Sequence, residues 1–328
     1  MFNPCGESQE GCIEISQSGP VGTDTGVGDG ALTSKVLDLG DALRRHVPDG
    51  AAVALGMALE SLIPFAAGHE LIRQRRYDLE LIGPISDMLF DQLIGAGCVR
   101  RITAAWVGNV SAGLGHNYRR AIEHGVPRPL ELEEHSNFSV GLGLQAAAMG
   151  VPYLPTRTLL GSDLATHNPR LERGPDGLLH VLAIEPDVAI LHVQRADGEG
   201  HAHCWGNLGL VREAGLAARA VILTTEEIVP TEVILSDPNR ILLPPQRVSA
   251  VVHVPGGAYP SPVQGYYGRD HVLFAAYHDL SRERARYLMW LQEWVLDVAD
   301  RAKYLAKVGR IDGLRPTVRR LAAEVDYA

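Results

Sequence analysis

The stretch DGAAVALGMALESLIP, residues 49 to 64, decides the fold. A polar turn (Asp49, Gly50) opens it, an apolar run follows, and Gly56 stands where that run ends. The residues after Gly56 predict a short helical start reaching Pro64. A strand passing into a helix in this way is the repeating unit of a parallel sheet. Gly56 permits close approach of the backbone, and free N–H groups at a helix start hold an anion or an oxyanion. An ordinary strand-to-helix turn has the same composition, so this stretch alone leaves both readings open.

Working outward, the pattern repeats. LELIGP (79–84) precedes SDMLFDQLIGAGC, and RITAAWVG (101–108) precedes AGLGHNYRRAIEHG. PLELEEH, NFSVGLGLQAAAMG and VPYLPTRTLLG continue it, and three longer apolar runs follow at 187–194, 220–229 and 248–257. This alternation predicts an α/β fold: a mostly parallel sheet with helices on both faces. A long amphipathic stretch from about Val272 to Lys307 predicts a C-terminal helical segment, with Trp290 and Trp294 as core or interface anchors. Residues 1–32 are rich in Gly, Ser and Thr without periodicity, which predicts a flexible N-terminal extension before one domain over 33–328.

Of the 328 residues 46% are apolar, enough for a sizeable core. A net charge of −9 argues against non-specific binding to nucleic acid or anionic membrane. No apolar run reaches the roughly 20 residues of a membrane span, and the N-terminus has no secretory signal pattern. Four cysteines (Cys5, Cys12, Cys98, Cys204) form no dense framework, so the chain reads as reduced, soluble and cytoplasmic.

Residues 49–64 resemble the signature of the A subunits of family I CoA-transferases: Asp/Asn-Gly, two free positions, three apolar, Gly-Gly-Phe, three free, Gly, one free, Pro. Asp49, Gly50, Val53, Ala54, Leu55, Gly56 and Pro64 match it. Met57 and Ala58 stand where the family has Gly-Phe, and Leu62 where it has Gly, departures that point towards the glutaconate-type α subunits. Three further stretches are similar to that branch, at 133–164, 194–229 and 254–270, and the order holds over about residues 33 to 310. The resemblance implies the family I CoA-transferase fold.

DGEGHAHCWG (197–206) gathers Asp197, Glu199, His201, His203 and Cys204, all side chains that bind transition metals. In the family this segment resembles a turn leaving a central strand, Ala-Asp-x-x-Gly-Asn-x-x-x-Trp-Gly, with His201 in the place of Asn. On an extended segment His201 and His203 share a face while Cys204 points away, and no CxxC or HExxH supplies the missing ligands. The expectation is a turn, with no metal and no cofactor beyond coenzyme A thioester as substrate.

The resemblance also implies a mechanism in which a glutamate attacks the acyl-CoA thioester and becomes a glutamyl-CoA thioester. That glutamate sits in the B half, in a Ser-Glu-x-Gly-like strand end that this chain lacks. EHG (123–125) and EAG (213–215) fall in helical stretches. The implied assembly is a hetero-oligomer in which a B subunit carries the nucleophile. It would act on an acyl-CoA and a carboxylic acid, and no catalytic residue is expected in this chain.

What this chain contributes is read from its loops. Ser136 and Asn137 sit where a strand meets a helix, either as a cap or facing the acyl carboxylate or the oxyanion. Arg157 is a two-pronged carboxylate clamp or a surface ion pair. Ser162, with Asp163, shapes the same pocket, and no G-x-S-x-G frames it as a hydrolase nucleophile. Gly56 and Met57 are candidates for holding substrate or oxyanion in the strand-end loop, while Gly256 and Gly257 let backbone approach the acyl group or the partner, with a tight turn as the alternative for that pair. Arg100–Arg101 and Arg119–Arg120 are compact basic spots, of a kind that more often forms solvated helix ends, and the nucleotide end of CoA is expected mostly on the partner.

Two other readings share the sheet. Ring-opening β-keto acyl-CoA hydrolases of steroid breakdown resemble the chain in LQAAA and PGGA, but carry an acidic residue just before that helix, where this chain has Ser136-Asn137. Sugar-phosphate sensors carry a helix-turn-helix that residues 1–32 cannot form.

Overall fold

The computed structural model describes residues 34–316. The extension expected over 1–32 lies outside the described residues. Seven parallel strands form the central sheet: β1 (Ala52–Ala54), β2 (Leu79–Ile82), β3 (Val99–Ala104), β4 (Glu131–Glu134), β5 (Val188–Ala196), β6 (Ala220–Ile228) and β7 (Val248–His253). Their order is β7-β6-β5-β1-β2-β3-β4. The chain winds outward from β1 to β4, returns to the centre at β5, and winds out the other way. β1 therefore pairs with β5, Val53 opposite Val188, and the order reverses between them. In open parallel sheets that reversal leaves a crevice at the carboxyl ends of the strands.

Side chains alternate across the sheet and bury both faces. Val53, Leu81, Ile102, Val188 and Ile190 join one cluster, with α1 (Leu39–His46), α2 (Phe65–Arg73) and α3 (Asp87–Gly95) packed over it. Ala54, Ile82, Ala189, Leu191 and Val193 join the other, beneath α4 (Asn137–Met149) and α5 (Val211–Ala217). This is why the strands read as unbroken apolar runs rather than as alternating ones.

An excursion between α4 and β5 builds a small antiparallel sheet from Tyr153–Thr156, Leu171–Arg173 and Leu179–Leu182. The C-terminal segment is helical but divided into α6 (His271–Ser281), α7 (Arg284–Leu291) and α8 (Arg301–Val308). The Asp300 carboxylate starts α8 by accepting the Lys303 N–H at 2.8 Å. Trp290 packs edge-on against Tyr277, at 5.1 Å between ring centres. Among the described residues no helix is long and apolar enough to cross a membrane.

Candidate active-site crevice

The loop after β1 does not run into a helix. Residues 57–62 are turns, and α2 begins only at Phe65. Gly56, Leu59 and Leu62 have φ of +62°, +62° and +55°, and each left-handed residue interrupts the helical path. Leu62 thus adopts without glycine the conformation for which the family pattern carries Gly. The N–H groups available in this loop belong to turns, not to a helix start.

Four neighbours fix the loop. Ser86 packs so closely that a Cβ on Gly56 would lie 2.2 Å from its Oγ, while that hydroxyl donates to the Leu55 carbonyl at 3.0 Å. The Leu210 N–H donates to the Met57 carbonyl at 2.7 Å. The Leu62 N–H donates to the Pro262 carbonyl at 3.1 Å, and Ser261 Oγ to the Glu60 carbonyl at 2.6 Å. Residues 57–63 are therefore stitched both to the segment after the DGEGH turn and to the PGGAYPSP segment.

That last segment is gripped from two sides. Glu226, buried near the end of β6, accepts the Gly256 N–H at 2.8 Å, the Tyr267 hydroxyl at 2.6 Å and faces His192 Nε2 at 2.9 Å. Burial pushes its carboxyl up, but these donors, His192 foremost, hold it below its ordinary 4.5. Arg301 of α8 donates to the Gly256 carbonyl from Nε and a terminal nitrogen, at 2.9 and 2.7 Å. Gly257 abuts the His192 ring, where a Cβ would meet Cε1 at 2.9 Å, and its carbonyl accepts the Ala66 N–H of α2 at 2.9 Å.

Beside Gly56, at the head of α3, lies a buried ion pair. Asp87 has φ +45° and its side chain is 0% exposed. Its Oδ2 is 2.7 Å from Arg269, whose side chain is 7% exposed and whose guanidinium lies 3.5 Å over the Phe274 ring. Burial raises the Asp87 carboxyl to about 6, against the pull of Arg269. Among the described residues Arg269 Nε and its other terminal nitrogen have no partner in hydrogen-bond geometry.

Ser136 and Asn137 lie at the other side of the sheet, past β2 and β3. Three strand spacings separate β1 from β4, about 14 Å. Ser136 caps α4, accepting the Ser139 N–H at 3.0 Å while Ser139 Oγ accepts the Ser136 N–H at 2.9 Å. Asn137 is exposed on the first turn. Just upstream, Glu133 is buried between His135 Nε2 at 3.0 Å, Arg170 Nε at 2.8 Å and a close Arg101 contact. Burial opposes its charge, yet these partners hold its carboxyl below the ordinary value.

Arg170 and Asn168 tie the excursion to the end of β4; Asn168 Nδ2 donates to the Glu134 carbonyl at 2.6 Å. Ser162 caps the short helix Asp163–His167, and with Glu133 and Glu134 that helix lines a cavity of about 410 Å3. Arg157 is exposed on a loop of the excursion and forms no ion pair among the described residues. The proposed residues thus fall into two groups. Gly56, Met57, Gly256 and Gly257 are buried in the loops after β1 and β7, while Ser136, Asn137, Ser162 and Arg157 belong to the β4 edge and the excursion.

The DGEGH segment is a turn held by Asp197. One carboxylate oxygen accepts the N–H groups of Glu199, Gly200 and His201 at 2.8–2.9 Å; the other faces His201 Nδ1 at 2.7 Å. Asp197, Glu199 and His201 present ligand atoms within 4.8 Å of one another, but Asp197 is committed to the turn. His203 bonds the Ile234 carbonyl at 2.8 Å, and Cys204 is a buried free thiol.

Asp87, Glu226, Arg269 and Arg301 were not singled out from sequence. A signal existed for Glu226: a carboxylate inside an apolar strand run has to be paired. None existed for Arg269, whose partner is 182 positions away (269 − 87).

A doubly wound sheet with a strained, glycine-marked crevice loop at its switch point defines an α/β enzyme subunit built to bind ligand at the carboxyl edge. The chain belongs to the coenzyme A transferase family, whose model matches residues 36–254, and within it is an A subunit of a CoA-transferase. It is 40% identical to the A subunit of 3-oxoadipate CoA-transferase from Pseudomonas knackmussii, over 84% of this chain and 98% of that one. It is 31% identical to the A subunit of glutaconate CoA-transferase from Acidaminococcus fermentans, over 84% of this chain and 92% of the relative. The crystal structure of glutaconate coenzyme A-transferase from Acidaminococcus fermentans superposes with a TM-score of 0.80 at 30% identity, covering 89% of this chain and 99% of that one.

Proposed function

We propose that the chain, with a B subunit, moves CoA between an acyl-CoA and a carboxylic acid through a glutamyl-CoA thioester on the B subunit. The acids are dicarboxylic, as the names of both relatives indicate for those proteins. The observation that carries the division of labour is the state of the buried carboxylates near the strand ends. Glu133, Glu226 and Asp197 are each held by three or more partners. A carboxylate so engaged is a poor nucleophile, because attack requires it to give up those bonds. The nucleophile is therefore assigned to the partner, and this chain supplies the Gly56–Met57 backbone and the Gly256–Gly257 loop beside β1, with Asn137 and Arg157 at the separate β4 edge and excursion. The same engagement of Glu133, just upstream of α4, favours transfer over ring-opening hydrolysis by an acid at that helix.

The test uses the tagged chain with whatever co-purifies from its native host. The material is incubated with acyl-CoA, treated with borohydride, and the intact mass of each chain recorded. Reduction of a glutamyl thioester to the alcohol removes about 14 Da and marks the covalent nucleophile. The expected shift is on a co-purified chain. Acyl-CoA consumption with no shift on any chain overturns transfer in favour of hydrolysis, and a shift on this chain overturns the division of labour.

A further inference from the structure

Arg269 is a buried cation with one close partner, Asp87, and donors to spare. Its side chain is 7% exposed; one terminal nitrogen pairs with Asp87, and among the described residues Nε and the other terminal nitrogen meet no acceptor in hydrogen-bond geometry. Buried donors are nearly always satisfied, so the nitrogens turned away from Asp87 call for an acceptor. Stacking on Phe274 fixes the guanidinium plane, so only its edges can be used. One edge faces Asp87 at 2.7 Å. Another nitrogen faces Glu60 at 3.9 Å, too long for a hydrogen bond.

Glu60 is placed as a movable cover. Its backbone is pinned by Ser261 Oγ at 2.6 Å, but its side chain is 53% exposed and only loosely associated with Arg269. Rotating such a side chain into water costs little. Its carboxylate, 3.9 Å from Arg269, marks where another carboxylate would lie.

We infer that Arg269, backed by Asp87, anchors the free carboxylate of a dicarboxylic substrate, which displaces the Glu60 side chain and takes the unused edge of the guanidinium. This rests on the transferase reading above and names its substrate-selecting group. A two-pronged guanidinium–carboxylate pair is strong and geometrically selective, and a half-ester of the same length cannot form it.

The test uses the intact complex of this chain with its co-purified partner, and two probes: a straight-chain dicarboxylate and its half-ester. CoA exchange and the thermal shift produced by each free acid are measured in parallel. The wild-type complex is expected to prefer the dicarboxylate and to be stabilised by it. Arg269→Gln is expected to lower kcat/KM for the dicarboxylate about 100-fold relative to the half-ester. Because that change leaves Asp87 unpaired, the double variant Asp87→Asn/Arg269→Gln is measured too, with the same loss of preference expected. Glu60→Gln is expected to lower KM for the dicarboxylate several-fold, by weakening the competitor for Arg269. Unchanged preference in the Arg269 and Glu60 variants, or no preference in the wild type, overturns the inference. If the wild type exchanges neither acid, the transferase reading fails, and the thermal shift alone decides: a dicarboxylate-specific shift lost in the Arg269 variants sustains the anchor, and its absence overturns it.

Discussion

Glu226 and Arg301 hold one glycine between them: the carboxylate takes the Gly256 N–H and the guanidinium its carbonyl. A strand residue and a helix residue 75 positions apart (301 − 226) thus set the path of the loop that borders the crevice. Glu226→Ala would leave the Tyr267 hydroxyl, His192 and the Gly256 N–H without their acceptor in the interior. The expected loss is about 3 kcal/mol or more. Thermal unfolding of the purified complex checks it, and a double-mutant cycle with Arg301→Met is expected to show a coupling of about 1 kcal/mol through the shared glycine.

Acid sensitivity follows from the same carboxylates. Glu226, Glu133 and Asp197 sit below their ordinary values of 4.5, 4.5 and 3.8. Their contribution is present above those values and is lost as pH falls through the lower folded-state ones. Asp87 has the opposite sign: its folded value of about 6 exceeds 3.8, so its ionisation removes stability as pH rises between the two. Urea unfolding at a series of pH values should show a steep acid limb that Glu226→Gln makes shallower. A limb unchanged by that substitution would count against the Glu226 assignment.

Gly56 is expected to tolerate no side chain. Alanine there meets Ser86 Oγ at 2.2 Å and is held at φ +62°. Combining Gly56→Ala with Ser86→Gly removes the collision but keeps the backbone strain, about 1 kcal/mol. The pair should therefore recover stability incompletely in thermal unfolding, and full recovery would show that the left-handed conformation costs nothing there.

Ser136 and Asn137 separate a cap from a contact. Ser136→Ala is expected to lower stability by about 1 kcal/mol through loss of the cap. Asn137→Ala, at an exposed position, is expected to leave the melting temperature in place and lower kcat/KM about tenfold if its amide faces the acyl group. Steady-state kinetics beside thermal unfolding reads both, and an unchanged kcat/KM would return Asn137 to the ordinary surface of the helix.

Much of this was legible in the sequence because a parallel sheet writes its strands as apolar runs and its helices between them. From β1 to β7 each expected stretch overlaps the observed strand, though β3 begins at Val99, two residues early, and β5 runs on to Ala196, two residues late. The loop after β1 was not legible: nothing in ALESLIP shows that Leu59 and Leu62 adopt left-handed conformations, which are imposed by the bonds to Pro262 and Ser261 some 200 positions on. The candidate residues were read one loop at a time, so sequence could not show that Arg157 and Ser162 would ride on an excursion anchored to β4. Nor could it pair Asp87 with Arg269, since charges distant in sequence become partners only after the sheet is assembled.

The family pattern ends at residue 254, yet the crevice does not. Its glycine loop is held from residues 267 and 301, and Asp270 locks that segment by accepting the Arg310 guanidinium at 2.9 Å. A fragment trimmed to the recognisable pattern would keep the strands through β7 and lose the groups that aim the loop. Anyone grafting the specificity of this chain onto a relative therefore has to carry the C-terminal helices along with the signature.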